Sequence, residues 1–296
     1  MKKFEIISKK RLAPNVNEYV VYAPLVAKHC LAGQFIILRT DEDGERVPFT
    51  ICDYSREDGT VSILVQEVGY TTMKLALMQE GECLEDFVGP LGNATDLRGY
   101  NNICLIGGGI GSAVIYPQAK QLHSGGKRAT VILGARNKDL LTYVEQFDKY
   151  SNLHLVTDDG SCGEKGFVTD MLKKLVKDGS EFDCVFAVGP LMMMKAVCAL
   201  TKDLGIHTVV SMNSLMVDGT GMCGCCRLTV GGQIKYACID GPEFDGHLVD
   251  FDEAILRSKT YREQETEHLC NLRRQYGKDW KTSDAHSTCG RESNKF

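Results

Sequence analysis

Four side chains toward the C-terminal end are spaced like an iron ligand set: Asp218, Cys223, Cys226 and Cys238 read D-x4-C-x2-C-x11-C. With a cysteine at position 218 this would be the plant-type spacing of a 2Fe-2S centre. Gly219, Gly221 and Gly224 stand between the ligands, where a chain wrapping a cluster must turn tightly and bring backbone N–H groups close to the sulfides. The same cysteines could instead hold zinc with one further donor. Zinc knuckles pair two C-x2-C units, or one unit with histidines, and the nearest downstream histidine, His247, is not part of such a pair, so iron is the preferred reading. Cys225 is a second candidate for the fourth ligand. Its side chain should point away from that of the adjacent Cys226, which favours Asp218.

The chain has 296 residues and a formal net charge of -5. Mild acidity argues against nucleic acid as a partner, because phosphate binding needs clustered Lys and Arg. The 13 cysteines are odd in number, and Cys104 and Cys184 sit in apolar runs where cysteine behaves as a small buried hydrophobe. A cytoplasmic redox protein without a disulfide framework is expected. The N-terminal MKKFEIISKKR breaks its apolar residues with charge, unlike a secretory leader, and no run approaches the ~18 apolar residues of a membrane span.

The elements that must position the cysteine loop fall into two rhythms. Through the first third, short segments rich in Val, Ile, Phe and Tyr are separated by turns such as Asp41-Glu42-Asp43-Gly44 and Glu57-Asp58-Gly59, which predicts a small antiparallel barrel. One short helix is expected there, from about Thr72 to Met78. From Asn102 apolar strands alternate with helices over Ser112 to His123, Leu140 to Tyr150, Val168 to Asp178 and Met192 to Gly205, the pattern of a parallel sheet covered on both faces. The expected fold class is thus an N-terminal antiparallel β-barrel, an α/β parallel-sheet nucleotide-binding domain and a small C-terminal 2Fe-2S subdomain. The boundaries are 1–98, 99–215 and 216–250, followed by a charged tail, 251–296. That tail reads as one exposed helix and, from Asp284, as disordered.

The α/β part opens with Gly107-Gly108-Gly109-Ile110-Gly111-Ser112 between a strand and a helix. Glycines there let backbone N–H groups approach a pyrophosphate, but G-x-G-x-x-G is met only at Gly107 and Gly109, and a tight packing turn explains the same residues. Arg136 ends the second strand, where an acid often holds the ribose of NAD; arginine leaves NAD and NADP both open.

Several of these words occur together and in order. Arg46-Val47-Pro48-Phe49-Thr50, Gly69-Tyr70-Thr71-Thr72, Gly89-Pro90-Leu91-Gly92, Gly107 to Gly111, Gly134-Ala135-Arg136, Asp159-Gly160-Ser161, Gly189-Pro190 with Met192-Met193, and the cysteine loop resemble the ferredoxin reductase-like family of flavoproteins. The resemblance covers residues 1 to about 255. Within the family it points to the branch of dihydroorotate dehydrogenase electron-transfer subunits and of small subunits of NADH-dependent reduced ferredoxin:NADP oxidoreductases.

The resemblance implies FAD in the barrel, held by Arg46, Pro48, Phe49, Thr50, Val65, Gln66, Glu67, Thr71 and Thr72. Without it these would read as a proline-edged strand and a helix cap. It implies NAD(H), with NADP(H) as an alternative, at Gly107, Gly109, Gly111, Gly134, Arg136, Asp159, Gly189, Pro190 and Met193, although a methionine run is also ordinary core. Cys52 and Cys162 lie near these words and are read as packing residues. No catalytic acid or base is expected beyond the cofactors. The implied activity exchanges a hydride with NAD(H) through FAD, and single electrons through the 2Fe-2S cluster with a large flavin and 4Fe-4S partner subunit. Ferredoxin is a further possible partner, and electron bifurcation is implied only with the large subunit present. Asp218 in place of cysteine resembles the ferredoxin:NADP branch. The alternatives are a dihydroorotate dehydrogenase electron-transfer subunit, a sulfide dehydrogenase or hydrogenase diaphorase subunit, or a non-catalytic 2Fe-2S carrier or sensor.

Overall fold

The computed structural model describes residues 1–276. The N-terminal sheet has six strands, β1 (Ile6–Ala13), β2 (Val16–Tyr22), β3 (Phe35–Arg39), β4 (Val47–Ser55), β5 (Thr60–Gln66) and β6 (Asp86–Leu91). Their order is β1-β2-β5-β4-β3-β6, with every neighbouring pair antiparallel. Beyond these ladders Ile6 N–H donates to Glu82 O and Gly81 N–H to Ile6 O, both at 2.8 Å, and Glu5 bridges Cys83. The first strand thereby meets the segment leading into the last one, and the sheet curls as a barrel does. Two helices interrupt it. α1 (Pro24–His29), which the sequence reading did not anticipate, starts on a proline whose missing N–H costs nothing in a first turn. α2 (Tyr70–Leu77) begins two residues earlier than expected.

The second sheet runs β10-β9-β8-β7-β11-β12-β15. Its strands are β7 (Ile103–Gly108), β8 (Thr130–Ala135), β9 (Asn152–Thr157), β10 (Glu164–Lys165), β11 (Cys184–Val188), β12 (His207–Ser211) and β15 (Glu243–Asp245). All pair in parallel except β15, which joins β12 antiparallel. β7 and β11 are buried along their whole length, as strands with helices on both faces must be. The helices are α3 (Gly111–Ser124), α4 (Val144–Tyr150), α5 (Val168–Lys177) and α6 (Leu191–Asp203). α4 is shorter than the expected Leu140 to Tyr150 because Tyr143 is left-handed (φ 59°) and a 3-10 turn occupies Lys138–Leu140. After β12 a hairpin, β13 (Arg227–Val230) and β14 (Gln233–Tyr236), turns on Gly231-Gly232 with φ of 58° and 75°. Two glycines of positive φ are what such a turn demands. Helices α7 (Phe251–Arg257) and α8 (Arg262–Tyr276) follow; the expected disorder from Asp284 lies outside the described residues.

Every cysteine from Cys30 to Cys238 is a free thiol, whereas Cys270 is disulfide-bonded. Burial raises the Cys104 thiol and pushes that of Cys184 up to about 12, so both are inert packing groups.

Polar seams join the two sheets. The Tyr143 hydroxyl donates to Glu18 Oε1 of β2 at 2.5 Å and lies 3.3 Å from Cys52 Sγ of β4. Lys120 of α3 pairs with Asp53 of β4 at 2.7 Å. At a third point Thr95 Oγ1 donates to Glu243 Oε1 and accepts from Gln118 Nε2 at 2.8 Å. Burial lifts the Glu243 carboxyl from 4.5 to about 7, against the pull of its Thr95 and Gln118 partners. The sign follows from proton binding. Between pH 4.5 and about 7 the folded chain holds a proton at Glu243 that the unfolded chain has released, so this contribution to stability is full at low pH and is lost as pH rises through 7. Glu243→Gln should flatten that dependence and be the more stable chain above about pH 7. Denaturant unfolding at about pH 5.5 and about pH 8 checks it; an unchanged difference between the two would rule Glu243 out as the source.

Candidate functional site

The cysteine loop leaves β12 and enters β13. Asp218 organises its first half: Oδ2 accepts from the N–H groups of Met222 and Cys223 at 3.1 and 3.2 Å and from the Thr220 hydroxyl, and Oδ1 accepts from Thr220 N–H. Burial opposes ionisation of Asp218, but the Thr220 and Cys223 donors outweigh it and hold the carboxyl down at about 2. Cys223 Sγ lies 3.3 Å from Asp218 Oδ1, and Cys226 Sγ lies 3.2 Å from Cys238 Sγ. The four expected ligands therefore come together as two pairs. Among the described residues no three such donors gather about one point. A mononuclear zinc site needs four donors on one ion, whereas a 2Fe-2S centre needs two protein ligands on each of two irons; the pairing fits the latter. Cys225 is half-buried beside Cys223. Burial pushes the Cys238 thiol up to about 12, so metal must displace protons to bind there.

The loop is pressed onto the barrel. A Cβ on Gly219, whose φ is +75°, would meet Ile37 Cδ1 at 2.6 Å and Leu91 Cδ1 at 2.8 Å. Arg46 Nε donates to Val217 O at 2.9 Å, and its Nη1 lies 3.4 Å from Asp86. Arg46, expected at a flavin, thus also ties the start of β4 to the residue before Asp218. Residues Arg46 to Thr50 are all half-buried, which leaves this stretch of β4 an open side in a barrel where β3 is almost wholly covered. Val65 is 1% exposed, so only its backbone could reach a ligand. Gln66 is half-buried, and Glu67 accepts from Asn17 at 2.7 Å. Thr72 Oγ1 accepts from Gly69 N–H at 2.9 Å and caps α2, as the helix-cap reading requires, while Thr71 Oγ1 donates to Glu45 Oε2 at 3.1 Å. Glu45 and Asp86 were not anticipated; only their nearness in space to the expected words marks them.

In the second sheet β8 lies to one side of β7 and β11 to the other, so the chain reverses its winding direction at β7. Ligands of doubly wound sheets bind beyond the strand C-termini at this switch point. The turns Gly107 to Gly111 and Gly189 to Met193 both stand there. A Cβ at Gly108 would meet Met193 Sδ at 2.4 Å, one at Gly189 would meet Met193 Cε at 2.8 Å, and one at Gly107 would meet Ile115 Cδ1 at 2.9 Å. These glycines let two turns and α6 pack, whereas Gly109 (φ +55°) faces open space. A ligand's phosphates have room at Gly109. Gly134 gives way to Val168, and Pro190 adjoins Gly108. Arg136 and Asp159 are exposed on the next strand ends, where Asp159 N–H donates to Arg136 O.

Barrel, switch-point sheet and cysteine loop, in that order, define a ferredoxin reductase-like oxidoreductase. Residues 213–250 match the iron-sulfur cluster binding domain of dihydroorotate dehydrogenase B. A dihydroorotate dehydrogenase B (NAD(+)) electron transfer subunit homolog from Thermotoga maritima is 48% identical, over 88% of this chain and 92% of that one. The electron transfer subunit from Bacillus cereus is 32% identical, over 81% and 94%. A solved NADH-dependent reduced ferredoxin-NADP oxidoreductase chain superposes with a TM-score of 0.88 at 44% identity, covering 92% of this chain and 98% of that one. Phthalate dioxygenase reductase shares the fold, with a TM-score of 0.55 at 18% identity over 82% and 76%. The chain belongs to the family of dihydroorotate dehydrogenase B electron transfer subunits and their homologues.

The glycine contacts separate packing from binding. Gly111→Ala would drive a Cβ to 2.2 Å from Val188 O, a backbone atom that cannot rotate away, and should cost about 2–3 kcal/mol. Urea unfolding of the variant checks this; a loss under about 0.5 kcal/mol would show that the turn yields.

Proposed function

We propose that this chain is the small subunit of an NADH-dependent reduced ferredoxin:NADP oxidoreductase, a cytoplasmic protein that binds FAD, NAD(H) and a 2Fe-2S cluster. The observation that carries the reading is the paired ligand loop tied by Arg46 to the open side of β4. In the barrel, residues 1–98, Arg46, Pro48, Phe49 and Thr50 would line the flavin ring, the backbone of Val65, Gln66 and Glu67 its ribityl side, and Thr71 and Thr72 its diphosphate. In residues 99–215, Gly109 would face the phosphates of NAD(H). Gly107, Gly111, Gly134, Gly189, Pro190 and Met193 would shape the crevice, and Arg136 and Asp159 would meet the adenosine end. In residues 216–250, Asp218 and Cys223 would hold one iron, and Cys226 and Cys238 the other. Residues 251–296 form the tail.

Bound together, these groups supply hydride exchange with a nicotinamide and release of the two electrons one at a time. The side chains align rings and exclude water, and no acid or base is required. Cys223 is exposed and Met222 is 90% exposed, whereas Cys226 and Cys238 are buried. One iron would thus lie at the surface, within reach of a larger flavin and 4Fe-4S partner subunit. Among the described residues no helix is long and apolar enough to cross a membrane. The second reading, a dihydroorotate dehydrogenase electron transfer subunit, is supported by the relatives' names. Asp218 in the first ligand position favours the first.

Two outcomes are expected. NADH should bleach the flavin of the purified protein faster than NADPH in stopped flow, and a clear NADPH preference would overturn the choice of NAD(H). Cys223→Ser and Cys238→Ser should lose iron. Asp218→Cys should keep a cluster of altered spectrum and potential, and Cys225→Ala should leave the spectrum unchanged. Loss of the cluster from Cys225→Ala, with Asp218→Ala unaffected, would replace Asp218 by Cys225 in the ligand set.

A further inference from the structure

Helix α8 packs against α2, and one residue of it touches both walls of the cleft assigned to the flavin. His268 Nδ1 lies 3.5 Å from Glu45 Oε1, the residue immediately before Arg46 on the approach to β4. The His268 ring also meets that of Tyr70, the first residue of α2, edge-on at 6.2 Å between centroids. Glu45 in turn accepts from Thr71 on α2 at 3.1 Å. The contacts run from the β4 side to the α2 side without a gap, across the end of the cleft where Thr71 would meet a diphosphate.

The composition of α8 sharpens the point. Among the described side chains of α8, those from Arg262 to His268 are exposed and Leu269 and Cys270 are half-buried. This described stretch gains little from hydrophobic docking, so the contacts of His268 help to set where it lies. Two phosphates beside Thr71 would bring negative charge close to the Glu45 carboxylate, a repulsion that the His268 imidazole 3.5 Å away on the far side of Glu45 would offset.

We propose that α8 is the third wall of the flavin site, with His268 the positioning residue that closes its diphosphate end over Glu45 and Thr71. The proposal rests on the flavin reading above and adds a ligand-facing element to it. FAD release then requires α8 to lift, and the free energy of that local opening slows it.

The test compares the full chain with one ending at Thr260, with His268→Ala and with His268→Gln, each loaded with FAD. Release is followed by flavin fluorescence after dilution, and the visible spectrum of the cluster serves as the folding control. The shortened chain and His268→Ala should release FAD on the order of tenfold faster, and His268→Gln, whose amide can donate toward Glu45, should be intermediate. Release within about twofold of the full chain in both overturns the proposal while leaving the flavin reading intact. Faster release from the shortened chain alone overturns the role of His268. A full chain that takes up no FAD overturns the flavin reading itself.

Discussion

The hydrogen bond from Arg46 Nε to Val217 O, 2.9 Å long, is the contact on which the rest of the proposed electron path depends. Electrons can pass between two bound groups only if both are held at fixed separation, and these groups belong to distant parts of the chain that meet where Phe35 and Ile37 of β3 pack with Met216, Cys226 and Cys238. Arg46 immediately precedes the open strand β4, and Val217 precedes the first proposed ligand. Gly219, with room for no Cβ against Ile37 and Leu91, lets the loop lie flat on the barrel beside that bond. A bidentate-capable guanidinium suits this place, because it can satisfy a backbone carbonyl and a carboxylate, here Asp86, from one rigid plane.

The same requirement explains the other seams. Hydride exchange between a nicotinamide bound by one sheet and a flavin bound by the other would need the two sheets held in fixed relation. Tyr143 is held left-handed at φ 59°, a conformation costing ~1–3 kcal/mol for a residue with a side chain. Its hydroxyl reaches Glu18 and Cys52 from that position, so the strain is offset by bonds made only in the docked arrangement. The antiparallel strand β15 adds a third connection, since it carries Glu243 to Thr95 in the segment between the sheets.

Much of this was legible in the sequence, for reasons that are local. Fully apolar β7 and β11, the alternation of strands with helices, and the glycine turns announce a parallel sheet through composition alone, and the four proposed ligands stand out by their spacing. What escaped depended on contacts distant in the chain. β6 carries Gly89 and Pro90, residue types common in turns, yet it pairs with β3 at the sheet edge, where a missing N–H is tolerated. α4 lost its first turn to the tertiary bonds of Tyr143. The roles of Glu45, Asp86 and Glu243 have no signature, because each is defined by a partner at least 26 residues away. Glycine types were visible at Gly107 to Gly111, but only the packing against Met193 and Val188 tells which are spacers and which face a ligand.

Asp218 unites folding and chemistry in one side chain. Its oxygens accept from Thr220, Met222 and Cys223, and a carboxylate sustains that many hydrogen bonds because charge-assisted acceptors are strong. A thiolate is a weaker acceptor and would leave the same N–H groups less well paired. The aspartate therefore pairs the loop's backbone donors by itself, whereas a thiolate there would leave more of the loop's order to its other contacts. As a proposed iron ligand, a carboxylate that also holds those donors would give the metal less charge. The residue that shapes the loop would thus also set the iron it holds in the proposed ligand set apart from the one held by Cys226 and Cys238.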